Sequence, residues 1–110
     1  MAREAAAAAE EKKAANIVVL DLRPVTPIAD YFVICSASNV TQARAVADHI
    51  EERLDRREVG KRHREGYDTG RWILLDYGDV VVHVFHEHER DYYNLERLWG
   101  DAAIVPLPAR

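Results

Sequence analysis

Thiol chemistry is nearly absent from this chain: Cys35 is its single cysteine, so no intramolecular disulfide can form. That usage fits a reducing compartment. No apolar run approaches the roughly 18–20 residues needed to cross a bilayer. The alanine-rich start carries Glu4, Glu10 and Glu11 and has no apolar signal core. It reads neither as a secretory signal nor as an Arg-rich, acid-poor transit peptide, and the expected location is the cytoplasm. An excess of positive charge is also missing. The formal net charge is −4 and the sequence pI is about 5.7. Proteins that grip nucleic acid through phosphates draw on a basic surface. If this chain acts on a ribonucleoprotein, a basic protein component suits it better than the RNA.

What is present is ordinary globular composition, 48% hydrophobic and 31% charged over 110 residues, enough for one compact domain and too little for two. Residues 1–16 are rich in Ala, Glu, Lys and Arg and predict a helix ending near Ala15, frayed at its start. Residues 17–22 (Ile-Val-Val-Leu-Asp-Leu) predict a strand that stops before Pro24. Residues 31–36 predict a second strand, apolar on both faces and so central. Asn39 with Gln42 three residues on reads as a capping box. It opens a helix to about Arg57, with Val40, Ala43, Ala47, Ile50 and Leu54 on its buried face and Glu51 largely on the other. A weak edge strand is signalled around residues 61–64.

Residues 72–77 and 80–86 form a hairpin about Gly78-Asp79. A helix follows over residues 89–99, with Tyr92, Leu95, Leu98 and Trp99 facing inward and Gly100 just past its end. A short strand, Ile104-Val105, closes the fold before Pro106. The expectation is a single α/β domain over residues 17–107, a mixed β-sheet flanked by helices, with residues 108–110 as a tail.

Candidate chemistry is thin. His83, His86 and His88 alternate along a strand and its exit, so they do not converge on one metal. Asp21, Asp30, Asp76 and Asp79 include no Asp-x-Asp pair on one strand, and no glycine-rich phosphate loop precedes them. Ser36, Ser38 and Cys35 lack a nucleophile elbow. No catalytic residue, metal or cofactor is assigned. The basic stretch Arg56, Arg57, Lys61, Arg62, His63 and Arg64 is the best case for a minor RNA contact, diluted by Glu58 and Glu65. The most informative cluster joins aromatics and carboxylates: Trp72, Asp76, Tyr77, Asp79, Tyr92, Tyr93, Glu96 and Trp99. Exposed Trp and Tyr anchor protein interfaces, and acidic neighbours steer a basic partner.

Four segments in register, at residues 17–22, 29–38, 65–85 and 90–102, resemble the ribosomal silencing factor family, also called Iojap-like. The shared pattern runs Leu-Asp-Leu, then Asp-Tyr-Phe-Val-Ile and Ser-x-Ser. It continues with Glu-Gly, Leu-Leu-Asp-Tyr-Gly-Asp, Val-His-Val-Phe and Arg-x-x-Tyr-x-Leu-Glu-x-Leu-Trp. Departures are Ala37, where the family often has Gly, and Ala29, where Thr is common. The resemblance implies a nucleotidyltransferase-like fold without catalytic motifs, and no enzymatic activity. It implies binding to the large ribosomal subunit through ribosomal protein L-fourteen, a block on joining of the small subunit, and repression of translation under nutrient limitation. Homodimers are also implied. By position, Trp72, Asp76, Tyr77, Gly78 and Asp79 are expected on the docking face, with Tyr92, Tyr93 and Glu96 from the adjoining helix. The alternative is a nucleotidyltransferase-like nucleotide-binding protein or enzyme.

Overall fold

The computed structural model describes residues 1–55 and 63–107, the side chain of Tyr92 excepted. The expected C-terminal end of the long helix, residues 61 and 62 of the edge strand, and most of the basic stretch lie outside the described residues. The elements are α1 (Ala2–Glu11), β1 (Ala15–Asp21), β2 (Tyr31–Ala37), α2 (Val40–Asp55), β3 (His63–Glu65), β4 (Trp72–Asp76), β5 (Val80–His86), α3 (Glu87–Tyr93), α4 (Leu95–Leu98) and β6 (Ala103–Ile104). They build one α/β domain on a six-stranded mixed sheet of order β3-β4-β5-β2-β1-β6. Only β2 and β5 run parallel; every other neighbouring pair is antiparallel. No helix among the described residues is long and apolar enough to cross a membrane.

The two faces of the sheet are treated differently, and period-two alternation decides which residue meets which. On one face, Val19, Val33, Cys35, Ile73, Leu75, Val82 and Val84 are fully buried beneath α1 and α2. Small residues let the helices sit close: Ala5, Ala8 and Ala9 of α1 and Ala43 and Ala47 of α2 have no exposed surface. The N-terminal helix therefore belongs to the same core as the sheet. On the other face, Leu20, Phe32, Ile34 and Phe85 pack with Leu95, Trp99 and Ala102 of the chain after β5. That C-terminal cover is short, and it closes only part of the face.

Local chemistry explains where the elements depart from expectation. Helix α1 stops at Glu11 and not near Ala15, because Lys13 takes a left-handed φ of 63° and the amide of Ala14 turns back to the carbonyl of Ala9. The capping residue of α2 is Asn39, whose Oδ1 accepts from the amide of Gln42 at 2.8 Å. Gln42 reaches one residue further back than a capping box requires, accepting from the amide of Ser38 at 2.7 Å. Glu51, expected on the outer side of α2, is only 6% exposed. Its carboxylate accepts from Arg64 Nη1 at 2.9 Å, which brings the charge inward as a pair. Strand β6 is Ala103–Ile104, one residue earlier than expected, and it pairs with Leu20 and Asp21 of β1.

The largest departure is in the C-terminal helix. In place of one helix over residues 89–99 there are two, broken at Asn94, whose φ of 43° and ψ of 60° are left-handed. Asn is among the few residues that accept this conformation. It ends α3 by donating its amide to the carbonyl of Arg90, and it starts α4 by accepting from the amide of Arg97 on Oδ1. The turn redirects the chain so that Leu95 is buried against the sheet. Leu98, expected to face the core, instead stands 70% exposed.

Candidate functional site: an open aromatic face of the sheet

The β4–β5 half of the second sheet face is the part the C-terminal helices leave open. Pairing of Trp72 with Phe85, Leu74 with His83 and Asp76 with Val81 places these six side chains on that one face. Trp72, Leu74, Asp76 and Val81 are all half-buried. A partly exposed leucine and tryptophan side by side on a sheet make an apolar patch of the kind that interfaces use. Tyr93, 44% exposed, extends the strip from α3, with its ring centroid 4.5 Å from that of Trp72. Beyond it stands Leu98 on α4.

Trp72 is the centre of this strip and its geometry is closely fixed. Its indole stacks on Phe85 at 5.0 Å and 27°. Its Nε1–H donates to His83 Nδ1 at 3.1 Å. A shallow cavity of about 470 Å³ beside it is lined by Thr69, Arg71, Trp72, Glu89 and Tyr93. The backbone entering β4 is set by the turn before it, where Gly66 has a φ of +78° and a Cβ would lie 2.0 Å from the carbonyl oxygen of Trp72. Only glycine fits there.

The residues expected on a docking face do not all arrive together. Trp72, Asp76 and Tyr93 share the open face. Tyr77 does not: it follows β4, is 8% exposed, and packs in the core beneath the opposite face. The alternation that turns Asp76 outward turns Tyr77 inward. Gly78 and Asp79 are exposed at the hairpin tip, at least six residues from Trp72, or roughly 20 Å along the strand. Asp76 supports that tip, its Oδ1 accepting from the amide of Gly78 at 2.8 Å. Tyr92 lies on α3. Glu96 points to Arg90 rather than outward, with Oε2 3.3 Å from Arg90 Nη2.

Sequence reading took Arg90 only as part of the shared pattern and missed its role as a buried tie to Ser36, Asn16 and Glu96. The side chain is 7% exposed, and its Nη1 donates to Ser36 Oγ at 2.9 Å and to the carbonyl of Asn16. It ties α3 to the ends of β1 and β2, and so fixes where Tyr93 stands. Leu74, Val81 and Leu98 were also missed, although the spacing of Trp72, Leu74 and Asp76 at every second position carried the signal for the first.

The groups considered for catalysis are employed elsewhere. Cys35 is fully buried, and burial pushes its thiol up to about 12, far from a thiolate nucleophile. His86 caps α3, accepting from the amide of His88 on Nδ1, and its ring stacks on that of His88 at 5.1 Å. Asp21 holds Arg23 at 2.7 Å. Among the described residues no three His, Cys, Asp or Glu side chains gather where they could hold a metal ion.

The site is thus an aromatic strip on a small sheet domain, an arrangement suited to recognition rather than to chemistry. Residues 1–109 match the family described as ribosomal silencing factor during starvation, and the chain belongs to it. The ribosomal silencing factor RsfS of Bacillus subtilis is 48% identical over 103 residues, which span 94% of this chain and 87% of that protein. A crystal structure from Bacillus halodurans superposes with a TM-score of 0.84 at 39% identity, covering 96% of this chain and 95% of that one. A second, from Chromobacterium violaceum, gives 0.86 at 33% identity over 97% and 86% of the respective chains. The family is a regulatory one, named for silencing ribosomes during starvation.

Proposed function

We propose that this chain docks on the large ribosomal subunit through protein L-fourteen and blocks joining of the small subunit, lowering translation when nutrients run short. The observation that carries the proposal is the half-exposed strip of Trp72, Leu74, Val81 and Tyr93 on the open sheet face, in a member of the silencing family. Blocking needs no reaction. A domain about 35 × 33 × 30 Å, seated between two subunits, excludes the second by its volume. Docking of standard size buries about 800 Å² per partner. That is roughly an eighth of this chain's 6472 Å² surface, which one face can supply. The acidic side chains at its margins, Asp76 and Glu89, suit a basic ribosomal protein.

The test is co-sedimentation of the purified protein with isolated large subunits, followed by addition of small subunits. Binding with loss of joining supports the proposal. Absence of binding at physiological salt refutes it, and magnesium-dependent nucleotide binding, measured by calorimetry, then becomes the reading to test.

A further inference from the structure

One polar contact lies inside the aromatic strip, and it constrains the side chain at its centre. The indole of Trp72 has a donor and no acceptor. His83 Nδ1, 3.1 Å from Trp72 Nε1, therefore carries the lone pair, and the proton of the neutral imidazole sits on Nε2. His83 is 4% exposed, enclosed by Phe32 at 4.5 Å edge-on, by Phe85 at 6.2 Å and by Trp72 itself. Nε2 is buried with no hydrogen-bond partner among the described residues. A buried N–H without an acceptor is destabilising, and an apolar ring would fill the same volume without that penalty. Only the imidazole, however, can accept from Trp72.

Stacking alone does not fix an indole. Phe85 beneath and Tyr93 beside Trp72 hold the plane of the ring, but a half-turn about χ2 exchanges its edges with the plane kept. The bond to His83 selects one of the two. We infer that His83 is the positioning residue that holds Trp72 in the orientation in which it meets the partner, an inference that rests on the docking reading above. Burial keeps the imidazole neutral, pushing its pKa down to about 4, with Asp76 opposing, so the acceptor is available throughout the physiological range.

The experiment compares His83→Phe with His83→Asn, whose Oδ1 stands where Nδ1 was, and with His83→Gln, whose acceptor lies one atom further out. Affinity for isolated large subunits is measured beside the indole N–H resonance of Trp72 in the free protein, assigned with Trp72→Phe. Loss of the bond leaves the productive orientation as a minor state, and a one-tenth population weakens binding about tenfold. The expected result is that weakening in folded His83→Phe, with the indole resonance moved towards its solvent-exposed position. His83→Asn keeps both the resonance and the affinity within about threefold of wild type. Should His83→Phe fail to fold, the Asn and Gln variants decide: the inference expects Asn to bind more tightly. Wild-type affinity in His83→Phe, or equal affinity in the Asn and Gln variants, overturns it. Wild-type protein that does not bind large subunits refutes the docking reading and takes the inference with it. A binding wild type with an indifferent His83→Phe refutes the inference alone.

Discussion

Replacing Arg90 with methionine removes the tie between the C-terminal helices and the sheet while keeping most of the side chain's apolar bulk. Arg90 is 7% exposed and bonds to Ser36 Oγ, to the carbonyl of Asn16 and to both carboxylate oxygens of Glu96. Hydrogen bonds involving a charged group contribute about 1.5–3 kcal/mol each. They do not simply add here, since Asn16 is exposed and Glu96 half-buried, and both regain water. Only Ser36, 3% exposed, stays dry without its partner. The expected loss is therefore about 2–4 kcal/mol, or a fall in Tm of roughly 10 °C for a domain of this size. Arg23→Met is the control. Its ion pair with Asp21 is shorter, 2.7 Å against 3.3 Å for Arg90 and Glu96, but the Arg23 side chain is 59% exposed and screened by water, so its loss should leave stability nearly unchanged. Urea unfolding followed by circular dichroism and tryptophan fluorescence measures both. If Arg90→Met falls within about 0.5 kcal/mol of wild type, the guanidinium is not what holds α3 and α4 to the sheet.

The depressed pKa of His83, about 4 against an ordinary 6.5, makes stability depend on pH. The unfolded chain takes up the proton first, so the neutral ring's contribution is full above about pH 6.5 and is lost as pH falls towards 4. Wild type should lose about 2 kcal/mol between pH 7.5 and pH 5 beyond any loss in His83→Phe, and parallel urea midpoints for the two proteins would refute this. Two glycines separate clash from conformation. Gly66→Ala should cost about 2–3 kcal/mol and Gly78→Ala about 1, because a Cβ at Gly66 meets the Trp72 carbonyl at 2.0 Å while nothing lies within 4 Å of one at Gly78. Equal denaturation midpoints would remove the steric argument. On the proposed docking face, Leu74→Asp and Tyr93→Ala should each weaken large-subunit binding at least tenfold while changing stability by under about 1 kcal/mol. Asp79→Lys, at the hairpin tip, tests how far the face extends: unchanged binding confines docking to the Trp72 end.

Strands and the long helix were legible because their signals are local. Tyr31 to Cys35 is apolar at every position and sits between two partners, and Asn39 with Gln42 marked the start of α2 in advance. The break at Asn94 was not legible, because Leu95, Leu98 and Trp99 keep a helical spacing on both readings. What marks it is the left-handed conformation of Asn94, which caps both helices, and across the turn Glu96 pairs with the buried Arg90. The candidate site was half legible for a related reason. Its aromatic residues were named from composition and resemblance, but which of them is core depends on strand parity. Tyr77 follows Asp76 by one residue, and that single step moves it from the solvent side to the side beneath the helices.

Coverage of the sheet explains why the open face lies over β4 and β5. Helices α1 and α2 cover the opposite side of the sheet. On this side Arg90, bonded to Ser36 and Asn16, sends the C-terminal chain over β2 and β1, where it ends as strand β6 on the outer edge of β1. The β4–β5 hairpin is left with one side only partly covered, yet it is not loose. The carbonyl of Asp79 accepts from the amides of Asp30 at 2.7 Å and Tyr31 at 3.0 Å, pinning the hairpin tip to the start of β2. At the other end the amide of His86 donates to the carbonyl of Arg71 at 2.8 Å. A face held at both ends and stacked on Phe85 loses little conformational freedom when a partner covers it. Under the proposed docking function that preorganisation is the property that counts, and the residues that supply it are Arg90, Gly66 and Asp79 as much as the aromatics they position.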